Sequence, residues 1–282
     1  MNTASWVNGK PQDQVLVSDR GLQYGDGVFE TLPTTHGQIP LLAHHLDRLY
    51  AGCERLGIKA PLRAKLQAEL LNMARGEQHV VFKLLITRGA GGRGYRPPPD
   101  AQATRILTRH PWPNHPPTWS EAGIQLRVCR TRLGRNPRLA GVKHLNRLEQ
   151  VLARAEWSER EPWQEGLMLD EEGAVIEGTM TNVFARLADG RRITPELSQC
   201  GVAGVMRRHL LERSMQDGEP VHEVHLSLGE LQGAREVFVC NSLIDIWPVR
   251  RLDNQEYAVG EWTRRMQHWA RDAGTGVTCK PT

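Results

Sequence analysis

One lysine in this chain stands where covalent chemistry is expected. Lys143 lies in the stretch Leu139–Trp157, where Leu145, Leu148, Val151, Leu152 and Ala155 recur at helical spacing and Arg147, Glu149, Gln150, Arg154 and Glu156 fall mostly off that face. An ammonium just ahead of a helix meets the positive end of its dipole and gives up a proton more easily, which suits a nucleophilic amine. Two further groups could serve it. The run Cys200–Leu210 opens a helix with small residues around Gly201 and Gly204, and free backbone N–H groups at such a start bind anions, phosphate above all. Glu177 closes the apolar strand pattern Val175-Ile176-Glu177-Gly178 as a buried carboxylate. Each taken singly has a plainer reading: a solvated lysine, an ordinary helix start, a strand-end acid.

The positioning elements follow from periodicity and turn chemistry. Trp6-Val7, Asn8-Gly9-Lys10 and Val15-Leu16-Val17 read as a hairpin. Ser18–Leu32 carries Gly21, Gly25 and Gly27 in a short space, which implies unusual backbone angles or a close approach, before it runs into a strand. Leu42, His45, Leu46, Leu49, Cys53 and Leu56 mark a helix ending near Gly57, and a second helix covers about residues 61 to 75. His44 and His45 point in different directions on that first helix and do not chelate one metal well. Val80–Arg88 is a buried strand, followed by Gly89-Ala90-Gly91-Gly92-Arg93-Gly94-Tyr95. This satisfies the dinucleotide pattern G-x-G-x-x-G only formally, because Arg96-Pro97-Pro98-Pro99 cannot continue the helix which that fingerprint requires. The segment reads instead as a loop presenting Arg93 and Tyr95. Strands are expected at 104–108, 124–131, 165–170, 175–178, 179–185, 221–224 and 237–242, a capped short helix at Ser227–Leu231, and a last helix from about Val259 to Ala273.

The proline-dense run 110–117 suggests a division into an N-terminal α/β domain over 1–112, a linker over 113–120 and a C-terminal domain over 121–282. Composition narrows the class: 282 residues, 39% hydrophobic, 24% charged and a net charge of +4 describe a globular chain, not a nucleic-acid binder. No apolar run approaches a bilayer span and the first residues carry no secretory pattern, so a cytoplasmic location is expected. Cys53, Cys129, Cys200, Cys240 and Cys279 stand singly, without a C-x-x-C, which points to reduced thiols and no zinc site. Arg127, Arg130, Arg132, Arg135 and Arg138 could form a solvated face, a nucleic-acid patch or a basic lining for a small anion; Leu133, Gly134 and Pro137 break a continuous phosphate-tracking stripe.

In combination, a lysine able to lose its proton, a glycine-opened helix start, a buried acid and arginines are what a pyridoxal phosphate enzyme needs. The sequence resembles the fold-type IV pyridoxal phosphate enzymes, the family of branched-chain and D-amino acid aminotransferases and aminodeoxychorismate lyases, over nearly its whole length. The motifs are Val17-Ser18-Asp19-Arg20 with Gly25-Asp26-Gly27, His45-Leu46-Asp47-Arg48-Leu49, Arg88–Tyr95, Leu133–Pro137, Gly141–Gln150, Glu177–Phe184 and Gly201–Arg207. The resemblance implies a mixed α/β fold of two domains, α+β with mixed sheets, the cofactor in the interdomain cleft, and a homodimer. It implies that Lys143 is the catalytic Schiff-base lysine, Glu177 the partner of the pyridine nitrogen and Arg48 a phosphate-binding cation. Gly204, Val205 and Met206 would offer backbone N–H groups to the phosphate, Ser242 a hydroxyl, with Asn241 beside it. Phe29, Thr31, Arg93 and Tyr95 would meet the substrate, and no metal is implied.

Within the family, D-amino acid aminotransferases carry a tyrosine matching Phe29 and a histidine in the loop that here has Tyr95, and branched-chain aminotransferases a tyrosine matching Leu148. The motifs Lys143-His144-Leu145-Asn146-Arg147 and Gly91-Gly92-Arg93-Gly94-Tyr95 resemble the lyase branch. That branch implies conversion of 4-amino-4-deoxychorismate, a dicarboxylate, to 4-aminobenzoate and pyruvate in folate biosynthesis, with Arg93 and an arginine of the 127–138 cluster facing the two carboxylates. The alternatives are an aminotransferase of the same fold and, from another class, a non-catalytic two-domain binding protein.

Overall fold

Along Gly27–Thr35 and His79–Thr87, Val28, Leu32, Phe82, Leu84 and Ile86 fall on the face that meets the core of the first half of the molecule. A computed structural model describes residues 4–273, which leaves Cys279 outside the described residues. The chain divides into two units, one running to Pro113 and including Val142–Asn146, the other made of Asn114–Gly141 and the residues from Arg147 on. The five residues around Lys143 therefore belong to the first unit although they interrupt the second in sequence.

The first unit comprises β1 (Ser5–Val7), β2 (Lys10–Pro11), α1 (Arg20–Tyr24), β3 (Gly27–Thr35), α2 (Leu42–Leu56), α3 (Arg63–Ala74), β4 (His79–Thr87) and β5 (Thr104–Pro111). Its sheet is antiparallel, in the order β2-β1-β5-β4-β3. Val28, Leu32, Phe82, Leu84, Ile86 and Leu107 form one face of it and pack on Leu46, Leu49 and Cys53 of α2 and Leu66 and Leu70 of α3. The register Phe29↔Leu85, Thr31↔Lys83, Lys83↔Thr108 and Leu85↔Ile106 sends these residues to the opposite face, where none is fully buried. Val15, Leu16 and Val17 form no strand and are exposed, because β1 pairs with β5 and with the two-residue β2 instead.

The second unit comprises α4 (Thr118–Glu121), β6 (Ile124–Val128), α5 (Leu148–Arg154), β7 (Glu165–Leu169), β8 (Val175–Gly178), β9 (Asn182–Arg186), β10 (Arg192–Pro195), α6 (Val205–Gln216), β11 (His222–Val224), α7 (Leu228–Gln232), β12 (Glu236–Asn241), β13 (Asp245–Leu252), β14 (Gln255–Glu256) and α8 (Glu261–Asp272). The sheet runs β11-β10-β9-β12-β13-β6-β7-β8, β14 pairs with β13, and β8 pairs back with β9. Six strands thus close on themselves, filled by Ile124, Leu126, Leu167, Val183, Val237, Val239, Trp247 and Val249. Phe184 and Phe238 stack on the outer side at 4.9 Å, and Trp262 of α8 covers Phe238.

Two expectations change around the lysine. Helix α5 begins only at Leu148, with Arg147 as its uncapped N-cap, so Lys143 is not poised on a helix dipole. Nor does the apolar stripe face a core: Leu148, Val151 and Leu152 are 74%, 59% and 61% exposed, and only Ala153 of α5 is buried.

Candidate active site

In the first unit the lysine is held by strand pairing. Phe29 donates its N–H to the Lys143 carbonyl at 3.0 Å, Leu145 donates to the Gly27 carbonyl at 3.0 Å, and His144 bridges antiparallel to Val28. Asn146 then donates its amide to the Gly25 carbonyl at 3.1 Å. Gly25 has φ +64°, and a Cβ there would lie 2.5 Å from Asn146 Oδ1, which explains why that turn takes glycine. The Lys143 ammonium rests 4.3 Å from the centroid of the Phe29 ring, whose negative face attracts a cation. Thr31 lies two residues on, on the same face.

Behind β3 sits a buried ionic triad that sequence reasoning missed except for Arg48. Glu30 is 1% exposed and accepts from Arg48 Nε at 2.8 Å and, through Oε2, from Arg48 Nη2, while His45 Nδ1 lies 2.6 Å from that same oxygen. Burial pushes the Glu30 carboxyl up, but the Arg48 charge and the His45 contact outweigh it and bring the pKa down to about 2. Burial in turn holds His45 below the ordinary imidazole value. An acid on a strand with a histidine and an arginine three apart on the next helix was the available signal.

The loop bearing Arg93 and Tyr95 is tied to α1. Arg20, 3% exposed, donates to the Gly94 and Tyr95 carbonyls at 2.9 and 3.0 Å and stacks over Tyr24, whose ring meets Tyr95 edge-on at 5.6 Å. Asp26 bridges Arg20 and Arg88, at 2.9 and 2.7 Å. Burial raises the Asp26 carboxyl, and the two arginines more than reverse it, holding it below the usual carboxylate range. Arg93 and Tyr95 are themselves exposed.

In the second unit Glu177 is buried on β8 and accepts from the Val202 N–H at 2.8 Å and from the Asn182 amide at 3.5 Å. Asn182 also donates to the Val202 carbonyl at 2.9 Å. Gly204 is the N-cap of α6 with no side-chain cap, leaving the buried first turn of Val205 and Met206 to present backbone N–H groups. A Cβ on Gly204 would stand 2.0 Å from Asn182 Oδ1, so one asparagine packs against both the acid and the helix start. Arg147 lies near Glu177 and Glu149, and burial lowers its pKa against the pull of those two acids.

The turn after Glu177 is built on Glu165, which sequence reasoning passed over. This 1%-exposed carboxylate accepts from the N–H groups of Gly166, Thr179 and Met180 and from the Thr179 and Thr181 hydroxyls. Burial raises its pKa while these donors pull against it. Asn241 accepts from Leu243 and Ile244 N–H at 2.8 and 3.0 Å and donates to the Met180 carbonyl at 3.1 Å, so its side chain shapes the loop that carries Ser242. The arginine run is largely committed to structure: Arg127 and Arg130 pair with Glu156, and Arg135 with Asp170 and Glu172.

The sequence profile of amino-transferase class IV matches residues 27–252. The chain is 40% identical over 266 residues to an aminodeoxychorismate lyase of Vibrio harveyi, covering 93% of this chain and 97% of that one. It is 31% identical to a putative branched-chain-amino-acid aminotransferase of Methanocaldococcus jannaschii, covering 96% of each. Among solved structures, the 4-amino-4-deoxychorismate lyase of Pseudomonas aeruginosa superposes with a TM-score of 0.91 at 50% identity, over 95% of this chain and 98% of that one. The Escherichia coli branched-chain amino acid aminotransferase superposes with a TM-score of 0.82 at 25% identity, over 94% and 92%.

Proposed function

We propose that this chain, which belongs to the amino-transferase class IV family, is a pyridoxal phosphate-dependent lyase converting 4-amino-4-deoxychorismate to 4-aminobenzoate and pyruvate, a step toward folate. The observation that carries the reading is the similarity gap: 40% and 50% identity to lyases against 31% and 25% to aminotransferases, each match covering more than nine tenths of both chains. The residues fit the cofactor group by group. Lys143 supplies an amine on a fixed backbone, Glu177 a buried carboxylate, and the uncapped start of α6 at Gly204–Met206 a set of N–H donors for phosphate, with Ser242 and Arg48 as further phosphate contacts.

When bound, pyridoxal phosphate supplies an electron sink for the carbanion at the amine-bearing carbon of the substrate. Lys143 would hold the cofactor before substrate arrives, and its amine would be the group that removes the proton from that carbon. The C–O bond to the three-carbon unit breaks with its electron pair on oxygen, Lys143 returns the proton there, and the enol released becomes pyruvate as the ring turns aromatic. Phe29 holds the amine in place between these transfers. Phe29, Thr31, Arg93 and Tyr95 face the substrate. A cytoplasmic homodimer completes the proposal, and the exposed Leu148, Val151 and Leu152 of α5 and Leu16, Val17 and Leu22 support such an association.

Incubation of the purified protein with aminodeoxychorismate, and in parallel with D-alanine plus 2-oxoglutarate, tests the reading. Pyruvate with 4-aminobenzoate is expected; glutamate without 4-aminobenzoate would point to an aminotransferase and sink the lyase.

A further inference from the structure

The turn that separates Glu177 from Asn182 is fastened by a single carboxylate. Glu177 and Asn182 face each other across β8 and β9, and the link between them is Gly178-Thr179-Met180-Thr181, closed by the Gly178 N–H donating to the Thr181 carbonyl at 2.7 Å. Glu165, the first residue of β7, lies against that link. Its Oε1 accepts from the N–H groups of Gly166 at 2.8 Å and Thr179 at 3.1 Å and from the Thr179 hydroxyl. Its Oε2 accepts from the Met180 N–H at 3.2 Å and the Thr181 hydroxyl at 3.1 Å. One oxygen therefore holds the half of the turn next to Glu177, and the other holds the half next to Asn182. A Cβ on Gly178 would stand 2.1 Å from Thr181 Oγ1 and 3.1 Å from Glu165 Oε2, so the backbone passes the acid as closely as glycine allows.

Beyond the turn, contacts run in two directions, all within the second unit. On one side Asn182 donates to the Glu177 carboxylate and the Val202 carbonyl and packs against Gly204. On the other, the Met180 carbonyl accepts from Asn241, whose Oδ1 receives the Leu243 and Ile244 N–H groups of the loop that carries Ser242. We propose that Glu165 is a positioning residue for the cofactor: through the 178–181 turn it fixes the Glu177 carboxylate, assigned to the ring nitrogen, relative to the Ser242 loop, assigned to the phosphate. This rests on the reading of Glu177 and Ser242 as cofactor contacts. A carboxylate 1% exposed on a strand that continues Gly166-Leu167-Met168-Leu169 is costly to bury. A strand that served the core alone would take an apolar residue there, as it does at Leu167 and Leu169. The donors that offset the cost belong, apart from the Gly166 N–H, to the turn itself.

Equilibrium dialysis against pyridoxal phosphate, with the absorption spectrum of the bound cofactor, tests this on Glu165→Gln, Thr181→Val and Thr181→Ser. Gln turns N–H groups toward donors where Glu offers lone pairs. Glu165→Gln should raise the dissociation constant of pyridoxal phosphate roughly 10- to 100-fold, the scale of a lost charge-assisted hydrogen bond. Cofactor that still binds it should show a displaced absorption maximum, because a Glu177 drawn off the ring nitrogen no longer holds the proton there. Thr181→Val should move both readouts the same way by a smaller amount, which keeps the test open if Glu165→Gln does not fold, and Thr181→Ser, which keeps the hydroxyl, should restore them. Leu126→Ala, in the filling of the closed sheet, should unfold more easily yet keep the wild-type dissociation constant and spectrum. Wild-type binding and spectrum in both Glu165→Gln and Thr181→Val, or an equal loss of cofactor in Leu126→Ala, would overturn the assignment. A wild-type protein that binds no pyridoxal phosphate would overturn the cofactor reading itself, and the two failures are distinct.

Discussion

Glu30 in the first unit and Glu177 in the second are both buried strand acids, surrounded by opposite means. Glu30 is gripped by side chains, an arginine and a histidine from one helix, and its charge is answered by charge. Glu177 is gripped by a backbone N–H from Val202 and a neutral amide from Asn182, beside a helix start left uncapped, with the Arg147 charge acting on it electrostatically. The same division runs through the neighbouring groups. The first unit keeps its loop and its lysine in place with Arg20, Asp26, Arg88 and the Phe29 ring, while the second relies on glycines, amides and the turn wrapped around Glu165. Ionic contacts tolerate backbone adjustment but not loss of a side chain; amide-built sites tolerate many side-chain changes but not an added methyl group.

The sharpest break of that contrast is Lys143→Ala. Loss of the acid–base group should lower kcat by at least about 10³-fold, with disappearance of the cofactor's visible absorption as the independent readout. Glu30→Gln should cost about 3–5 kcal/mol of stability by leaving Arg48 and His45 without their anion. Because the folded Glu30 pKa is about 2 against an ordinary 4.5, that stabilisation is complete above pH 4.5 and is lost as pH falls toward 2. Urea unfolding at stepped pH should therefore show wild type and variant converging below pH 4.5; a constant gap would mean that the charge is not what matters. In the other unit, Gly204→Ala forces Asn182 or α6 to move, and should destabilise by about 1–3 kcal/mol while the protein loses cofactor faster on dialysis. The mildest change is Arg20→Met, which frees the Gly94 and Tyr95 carbonyls. It should raise KM roughly tenfold, the equivalent of one charge-assisted hydrogen bond of about 1.5 kcal/mol, and make the 89–95 loop a preferred site of limited proteolysis.

Much of this was legible in the sequence where one period dominated. The helices at 42–56 and 63–74, the strand at 79–87 and the Ser227–Glu230 capping box follow from apolar spacing and cap chemistry alone. The reading failed where tertiary contacts override the pattern. Leu145 continued a helical repeat, yet strand pairing with Gly27 claims it, and α5 begins three residues later with its apolar side outward. Strands β10 and β13 went unseen because Arg192–Pro195 and Asp245–Leu252 mix charges and proline with apolar residues and acquire strand form only from their neighbours in the closed sheet. Asn182 and Glu165 gave no local signal as site-shaping residues, since their importance lies in partners 14 to 20 positions away. Lys143, Glu177 and Gly204 stood out only in combination, since each taken singly reads as a solvated lysine, a strand-end acid and an ordinary helix start.

The pairing of residues 143–145 with the start of β3 also bears on speed. With the Lys143 carbonyl and the Leu145 N–H both engaged, the main chain at the lysine has no room to swing, and only the four-carbon stem turns. Rotation about such a stem takes picoseconds to nanoseconds, against microseconds or longer for a loop. In the proposed reaction the amine would thus reach each proton acceptor in turn without any rearrangement of the fold, and turnover would be left to be paced by bond breaking or by the departure of products.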